Sequence, residues 1–206
     1  TTYGSGVDTI VTNGATLVAI TGASGATISD ANSFKNASAT AVGTSVLATV
    51  TLDGVTGGVA IDSNALTSVG IADSLKGHGA TTVNVASFTG YTAIPAHAIA
   101  LTLSNDTNTG TSYTDNTATG ITVSTTGTTA DNIILVGAKT TALTFNSSAA
   151  LTVNAGDVVS STAAVTITAT GSGALNLGDI VAWTGGNEIT SVNASTATGG
   201  VTVTLN

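Results

Sequence analysis

Ten aspartates and a single glutamate carry most of the chemistry that this chain of 206 residues can offer, and Asp8 has the most telling neighbours. With Tyr3 in the first position, the run Gly4-Ser5-Gly6-Val7-Asp8-Thr9-Ile10-Val11 fits a Gly-Gly-x-Gly-x-Asp-x-apolar-x nonapeptide at Gly4, Gly6, Asp8 and Ile10. Tandem copies of that nonapeptide hold Ca²⁺ between the turns of a parallel β-roll. Asp oxygens and turn carbonyls surround the ion at about 2.3–2.6 Å, and glycines let the turn backbone fold toward it. A weaker echo, Gly127-Thr128-Thr129-Ala130-Asp131-Asn132-Ile133, has Thr129 where a glycine is expected and makes Asp131 a second candidate. Each copy stands alone, so the competing reading at both places is an Asp-containing turn that leads into a strand. The expected metal ligands are therefore Gly4, Gly6, Asp8 and Asp131, and the expected cofactor is calcium.

Other chemistry is thinly supplied. Asp53, Asp62, Asp73, Asp157 and Asp179 lie singly at predicted strand ends, where capping a turn explains them. A glycosidase needs two carboxylates set across the scissile bond, and no Asp-Asp pair occurs in the sequence. His78 lies in the flexible run Lys76-Gly77-His78-Gly79, and His97 follows Pro95. Two isolated histidines, both expected in loops, do not make a zinc site. No Gly-x-Ser-x-Gly elbow is present. Trp183 is the only tryptophan, placed either as a plug at the end of a narrow core or as a platform for a sugar ring. Tyr91 and Tyr113 are expected in loops. No catalytic set emerges, and the expectation is a protein that is not an enzyme.

Charge removes further classes. The formal net charge is −8, and Lys35, Lys76 and Lys139 are the only strong bases. Nucleic-acid binding depends on Lys and Arg neutralising phosphates, so it is not expected here. A polybasic membrane patch is missing for the same reason. No run approaches the roughly 18 apolar residues that cross a bilayer. Cysteine and methionine are both absent, which argues against a small disulfide scaffold. A start in a loop-like run and an end on a strand lead us to expect a piece of a longer protein.

The elements that must position these residues announce themselves through a short pattern, apolar–Thr–apolar. It occurs at Val50-Thr51-Leu52, Leu101-Thr102-Leu103, Ile121-Thr122-Val123, Leu143-Thr144-Phe145, Leu151-Thr152-Val153, Val165-Thr166-Ile167 and Val201-Thr202-Val203. Period-two alternation predicts strands with the aliphatic residues inward and the threonine outward. Threonine is the commonest polar residue, 43 in all, while aromatics make up 3%. Small and β-branched side chains suit narrow, closely stacked strands. Counted from Leu101, the starts at 121, 143 and 165 follow at steps of 20, 22 and 22 residues. A near-constant step with two strands inside it predicts an all-β parallel solenoid of about ten coils, on the order of 50 Å long at roughly 4.8 Å per coil. A sandwich of antiparallel hairpins is the alternative. Residues 1–45 form the less regular segment, continuous with a solenoid over 46–206. The polar stretch Thr107 to Thr119 is expected to be one long surface loop.

The runs Thr126 to Thr141 and Asn64 to Ile71 resemble the repeat regions of Caulobacter-type bacterial surface-layer proteins. The Thr/Ala/Gly/Val-rich style is also similar to that of large repeats-in-toxin adhesins. The resemblance implies a calcium-dependent β-solenoid on the bacterial cell surface, exported with its parent protein by type I secretion. It implies partners that are other copies of the chain, neighbouring domains or cell-surface glycan. Two function classes follow, a structural segment of a surface layer and an adhesin stalk. A third class, ice binding, would use flat ranks of outward threonine such as Thr49-Val50-Thr51 and Thr166-Ile167-Thr168.

Overall fold

The computed structural model describes residues 6–73, 79–154, 164–178 and 189–203. Strands alternate strictly between two sheets. The first sheet takes β1 (Val7–Thr12), β3 (Gly25–Asp30), β5 (Gly57–Asp62), β7 (Thr81–Val85), β9 (Ser112–Asp115), β11 (Asp131–Val136), β13 (Leu151–Asn154), β15 (Leu175–Leu177) and β17 (Val201–Val203). The second takes β2 (Leu17–Thr21), β4 (Thr49–Asp53), β6 (Ser68–Ala72), β8 (His97–Ser104), β10 (Ala118–Thr126), β12 (Ala142–Ser147), β14 (Val165–Gly171) and β16 (Ile189–Ala197). Neighbours within each sheet are parallel throughout. This is the parallel solenoid, with one strand of each sheet per coil. A sandwich of hairpins would need antiparallel neighbours, and only the isolated bridges Phe34–Tyr91 and Lys35–Ala41 run that way among the described residues. The nine-stranded sheet spans eight gaps of about 4.8 Å, or about 38 Å along the axis.

The alternating pattern builds the interior directly. Val18, Val50, Val69, Leu101, Val123, Phe145 and Ala169 form one inward column of the eight-stranded sheet. All are buried. The bulk of Phe145 is accommodated beside Ala169, the smallest side chain of the column. The intervening residues Thr51, Thr102, Thr122 and Thr144 face out and are partly or fully exposed.

Coil length varies more than a 20–22 residue step. Ile99 stacks on Ile121 and Ile121 on Leu143, but Leu143 stacks on Ile167 rather than on Val165. Leu101 likewise stands against Val123, not Ile121. A two-residue slip keeps every side chain on its own face, so periodicity alone cannot detect it. Val69 and Leu101 stack across a coil of 32 residues, which is long because a loop over 86–96 is inserted. A second insertion, over 31–48, leaves the solenoid between β3 and β4.

Two further departures have local causes. Residues 7–30 supply three regular strands to the same two sheets, including β3, whose Gly25 and Ser29 blur its aliphatic pattern. The stretch 107–119 contains β9, with Thr111, Tyr113 and Asp115 turned inward and fully buried. Two of those three inward residues are polar, which disguised the strand as a surface loop. At the corner between β14 and β15, Gly171 has φ +100, and a Cβ there would meet the Ser147 carbonyl oxygen of the coil below at 2.2 Å. Only glycine fits that stack.

Candidate functional site

The corners of the solenoid are closed by buried carboxylates. Where the chain leaves the nine-stranded sheet, Asp30 accepts from the amides of Asn32, Val46 and Leu47 and so ties down the long insertion that follows it. Asp62, on the next coil, accepts from the Phe88 amide. It is fully buried, and that burial, helped by the charge of Asp30 and opposed by the Phe88 amide, pushes its carboxyl up to about 6.

Two coils further on, Asp115 gathers a denser set of donors. The Tyr113 hydroxyl donates to its Oδ2 at 3.1 Å, and Thr117 and Ala118 donate to Oδ1. The Nε2 atom of His97 lies 3.1 Å from Oδ2. Nδ1 of the same ring faces the Pro95 carbonyl at 3.0 Å. With acceptors at both ring nitrogens, only the imidazolium satisfies the site. The Asp115 carboxylate accordingly holds His97 above the ordinary histidine range, against the cost of burial. Burial alone would raise Asp115, but His97 and Thr117 outweigh it and hold the carboxyl below its usual value. His97 is thus the first residue of a strand and not a loop residue.

At the opposite corners, Asp73, Asp106 and Asp131 follow β6, β8 and β10 on successive coils. The Asp106 amide donates to Asp131 Oδ1 at 2.7 Å, and Asp106 itself caps the Asn108 amide. Burial is the main reason the Asp131 carboxyl rises to about 6, with the Asp106 charge adding to it and the Asp106 amide opposing. Asp106 is also raised, again chiefly by burial, with Asp73 contributing. Carboxylates that are single in the sequence are therefore neighbours across coils, but all three are buried, and Asp106 and Asp131 are turned to backbone amides rather than to solvent.

Asp8 and Asp131, the two carboxylates singled out as metal ligands, do not come together. Gly4, Trp183 and His78 lie outside the described residues. Gly6 is exposed, and its carbonyl accepts from the Ser24 amide. Asp8 sits within β1 on its inward side, and its Oδ2 is buried without a protein partner. Asp131 lies on the same sheet five strands away, on the order of 24 Å along the axis. The turn before Asp131 directs the amides of Thr128 and Thr129 and the Thr129 hydroxyl at Asn105 Oδ1. Donors rather than oxygen ligands thus line that turn. Among the described residues, no group of three acidic or histidine side chains lies within reach of one ion.

The two broad faces differ sharply. Over the nine-stranded sheet, the inserted loops fold back onto the outward side. The Tyr91 hydroxyl lies 3.1 Å from Ser29 Oγ, and Phe34 and Phe88 pack edge-to-face on the Tyr91 ring at 5.3 and 5.9 Å. The loop at 107–110 crosses the same sheet further along, with its carbonyls taken by Asn132 and Asn154. Among the described residues, nothing covers the outward face of the eight-stranded sheet. One rank runs Thr49, Ser68, Ala100, Thr122, Thr144, Thr168, and a parallel rank runs Thr51, Gly70, Thr102, Ser124, Asn146, Thr170. None of these residues is buried. Asp53, at the edge, is the only charged side chain on the outward positions of β4 to β14.

Threonine serves two distinct ends. At the corners its hydroxyl bonds a carbonyl of the neighbouring coil, as in Thr67 to Ala48, Thr119 to His97 and Thr141 to Thr119. Thr125, turned inward, both donates to the Ala149 carbonyl and accepts from the Ala149 amide. On the bare face, the hydroxyls of Thr49, Thr51, Thr102, Thr122, Thr144 and Thr168 make no hydrogen bond to protein. Sequence pattern could place these residues outward but could not separate the two uses. Compared with models of known families, with curated proteins and with solved structures, the chain matches none.

Proposed function

We propose that this chain is a non-catalytic structural segment of a bacterial surface-layer or surface-assembly protein, working outside the cell and joining further copies of itself. The observation that carries this reading is the bare, almost uncharged outward face of the eight-stranded sheet, set against a nine-stranded sheet whose outer side is partly covered by its own loops. Short uncharged side chains let two surfaces approach with a small desolvation penalty. The carboxylates also support a structural reading, because Asp30, Asp62, Asp106, Asp115 and Asp131 all accept from backbone amides at the corners. Purified chain should form ordered assemblies visible by electron microscopy as its concentration rises. Monomers at every concentration would overturn the proposal. Immunogold labelling of intact cells tests the location, and label confined to the cell interior would contradict it.

Calcium enters the proposal at Asp8, whose Oδ2 has no protein partner. An ion there would draw most of its roughly six to eight oxygens from main-chain carbonyls and water. Melting with calcium and then with a chelator is the check. A higher melting temperature with calcium supports the site, and identical curves remove it.

A second reading, a glycan-binding stalk, is favoured by Phe34, a residue 48% exposed on a loop pinned by the Lys35 amide to the Gly90 carbonyl. Retention of a sugar on a glycan array that disappears in Phe34→Ala would favour this reading over assembly.

A further inference from the structure

Resting on the structural role proposed above, we infer that the outward face of the eight-stranded sheet is the surface on which two copies of this chain meet, sheet against sheet. Four observations converge on it. Six threonines of this face, Thr49, Thr51, Thr102, Thr122, Thr144 and Thr168, keep their hydroxyls free, while Thr170 at its far end donates to Asn146 Oδ1 and corner threonines such as Thr119 and Thr141 spend theirs inside the molecule. A facing copy supplies both donors and acceptors to such hydroxyls, because each can play either part.

The second observation is charge. A chain of net charge −8 repels its own copy wherever carboxylates face it. From β4 to β14 this face presents no charged side chain inside the Asp53 edge. Third, the described insertions that would keep a partner at a distance are bonded to the other sheet, through Tyr91 to Ser29 and through Asn132 and Asn154 to the loop at 107–110. The face retains the close approach of about 10 Å at which sheets pack.

Size is the fourth. Eight strands span seven gaps of about 4.8 Å, and three to four outward positions along each strand span about 13–20 Å, giving a patch on the order of 600 Å². A stable interface of standard size takes about 800 Å² from each partner. A face-to-face pair of these patches therefore reaches the lower part of that range without the loops taking part.

Sedimentation equilibrium of the full chain tests this. Thr122→Glu places like charges across a paired face, and Thr51→Glu does the same near its other end. Both positions point outward, so circular dichroism should be unchanged. Each substitution is expected to weaken self-association at least tenfold. If association persists unweakened in both variants while Phe34→Ser abolishes it, copies meet elsewhere. That result overturns the inference but leaves the assembly role standing. Wild-type chain that stays monomeric to millimolar concentration overturns both. Monomers that shape growing ice crystals through this face would also overturn the inference, since the free hydroxyls would then be serving ordered water.

Discussion

The backbone amide of Asp106 donates to the carboxylate of Asp131 at 2.7 Å, so residues 25 apart in sequence close the same corner of the solenoid. Both side chains are buried, and Asp131 Oδ2 has no partner. The corner uses the carboxylate as an acceptor but gives its charge no counter-ion. Replacement by the neutral isostere should keep the first contribution and relieve the second. Asp131→Asn is expected to raise the melting temperature at pH 7 by a few degrees and to change it little at pH 4.5. A lower melting temperature at pH 7 would show that the anion itself is needed.

The same reasoning fixes a pH profile for the whole molecule. Asp62 and Asp131 titrate near 6 in the folded chain against an ordinary 3.8, and Asp106 is displaced in the same direction. The folded state binds these protons more tightly than the unfolded state, so stability rises as pH falls from 7 toward 4. His97, also raised, acts in the same sense: its contribution is full below its ordinary 6.5 and is lost as pH climbs through the folded value. Asp115 is lowered, so its contribution is lost only as pH falls below 3.8. Thermal melts should place the maximum between about pH 4 and 6. A steady loss of stability from pH 7 to pH 5 would contradict these assignments.

His97→Ala leaves Asp115 buried with Tyr113, Thr117 and Ala118 as its remaining donors. The loss of a charged partner should cost about 1–3 kcal/mol. For a domain of this size each kcal/mol corresponds to about 2–4 °C. The cost should be full below pH 6.5 and shrink as pH climbs above it and the wild-type imidazole loses its proton. A penalty independent of pH would mean that His97 acts by packing alone.

Threonine offers an internal control. Thr125→Val removes a hydroxyl that serves both the carbonyl and the amide of Ala149 in the interior. It should cost about 1–3 kcal/mol, because two buried backbone groups lose a partner. Thr144→Val, on the bare face, should fall within about 0.5 kcal/mol of wild type. Equal costs in denaturant melts would contradict the division between bonded and free threonines.

Much of this fold was legible because one signal dominates. Val50, Leu101, Ile121 and Leu143 all face inward with the threonine after each facing out, as alternation requires. Register was less legible. Stacking Leu101 on Ile121 or on Val123 leaves the same faces inside, and the insertions over 31–48 and 86–96 break the step that would have chosen between them. β9 was hidden because Thr111 and Asp115 occupy inward positions usually filled by aliphatic residues. The carboxylate corners were hidden for a different reason. Asp73, Asp106 and Asp131 become neighbours only through coil stacking, and no local spacing records that. The isolated nonapeptide matches fall where strands begin, with Asp131 first in β11 and Asp8 second in β1, but the amides around Thr128 and Thr129 point at Asn105, a contact from the preceding coil.

The central claim, that the threonine face is where copies meet, is open to a direct measurement because the chain contains no cysteine. Thr122→Cys puts one thiol in the middle of the bare face, and Thr82→Cys puts one on the outward side of the nine-stranded sheet. A short bis-maleimide added to dilute protein should link Thr122→Cys copies into dimers while Thr82→Cys remains monomeric. Efficient linking through position 82 with none through position 122 would contradict the account.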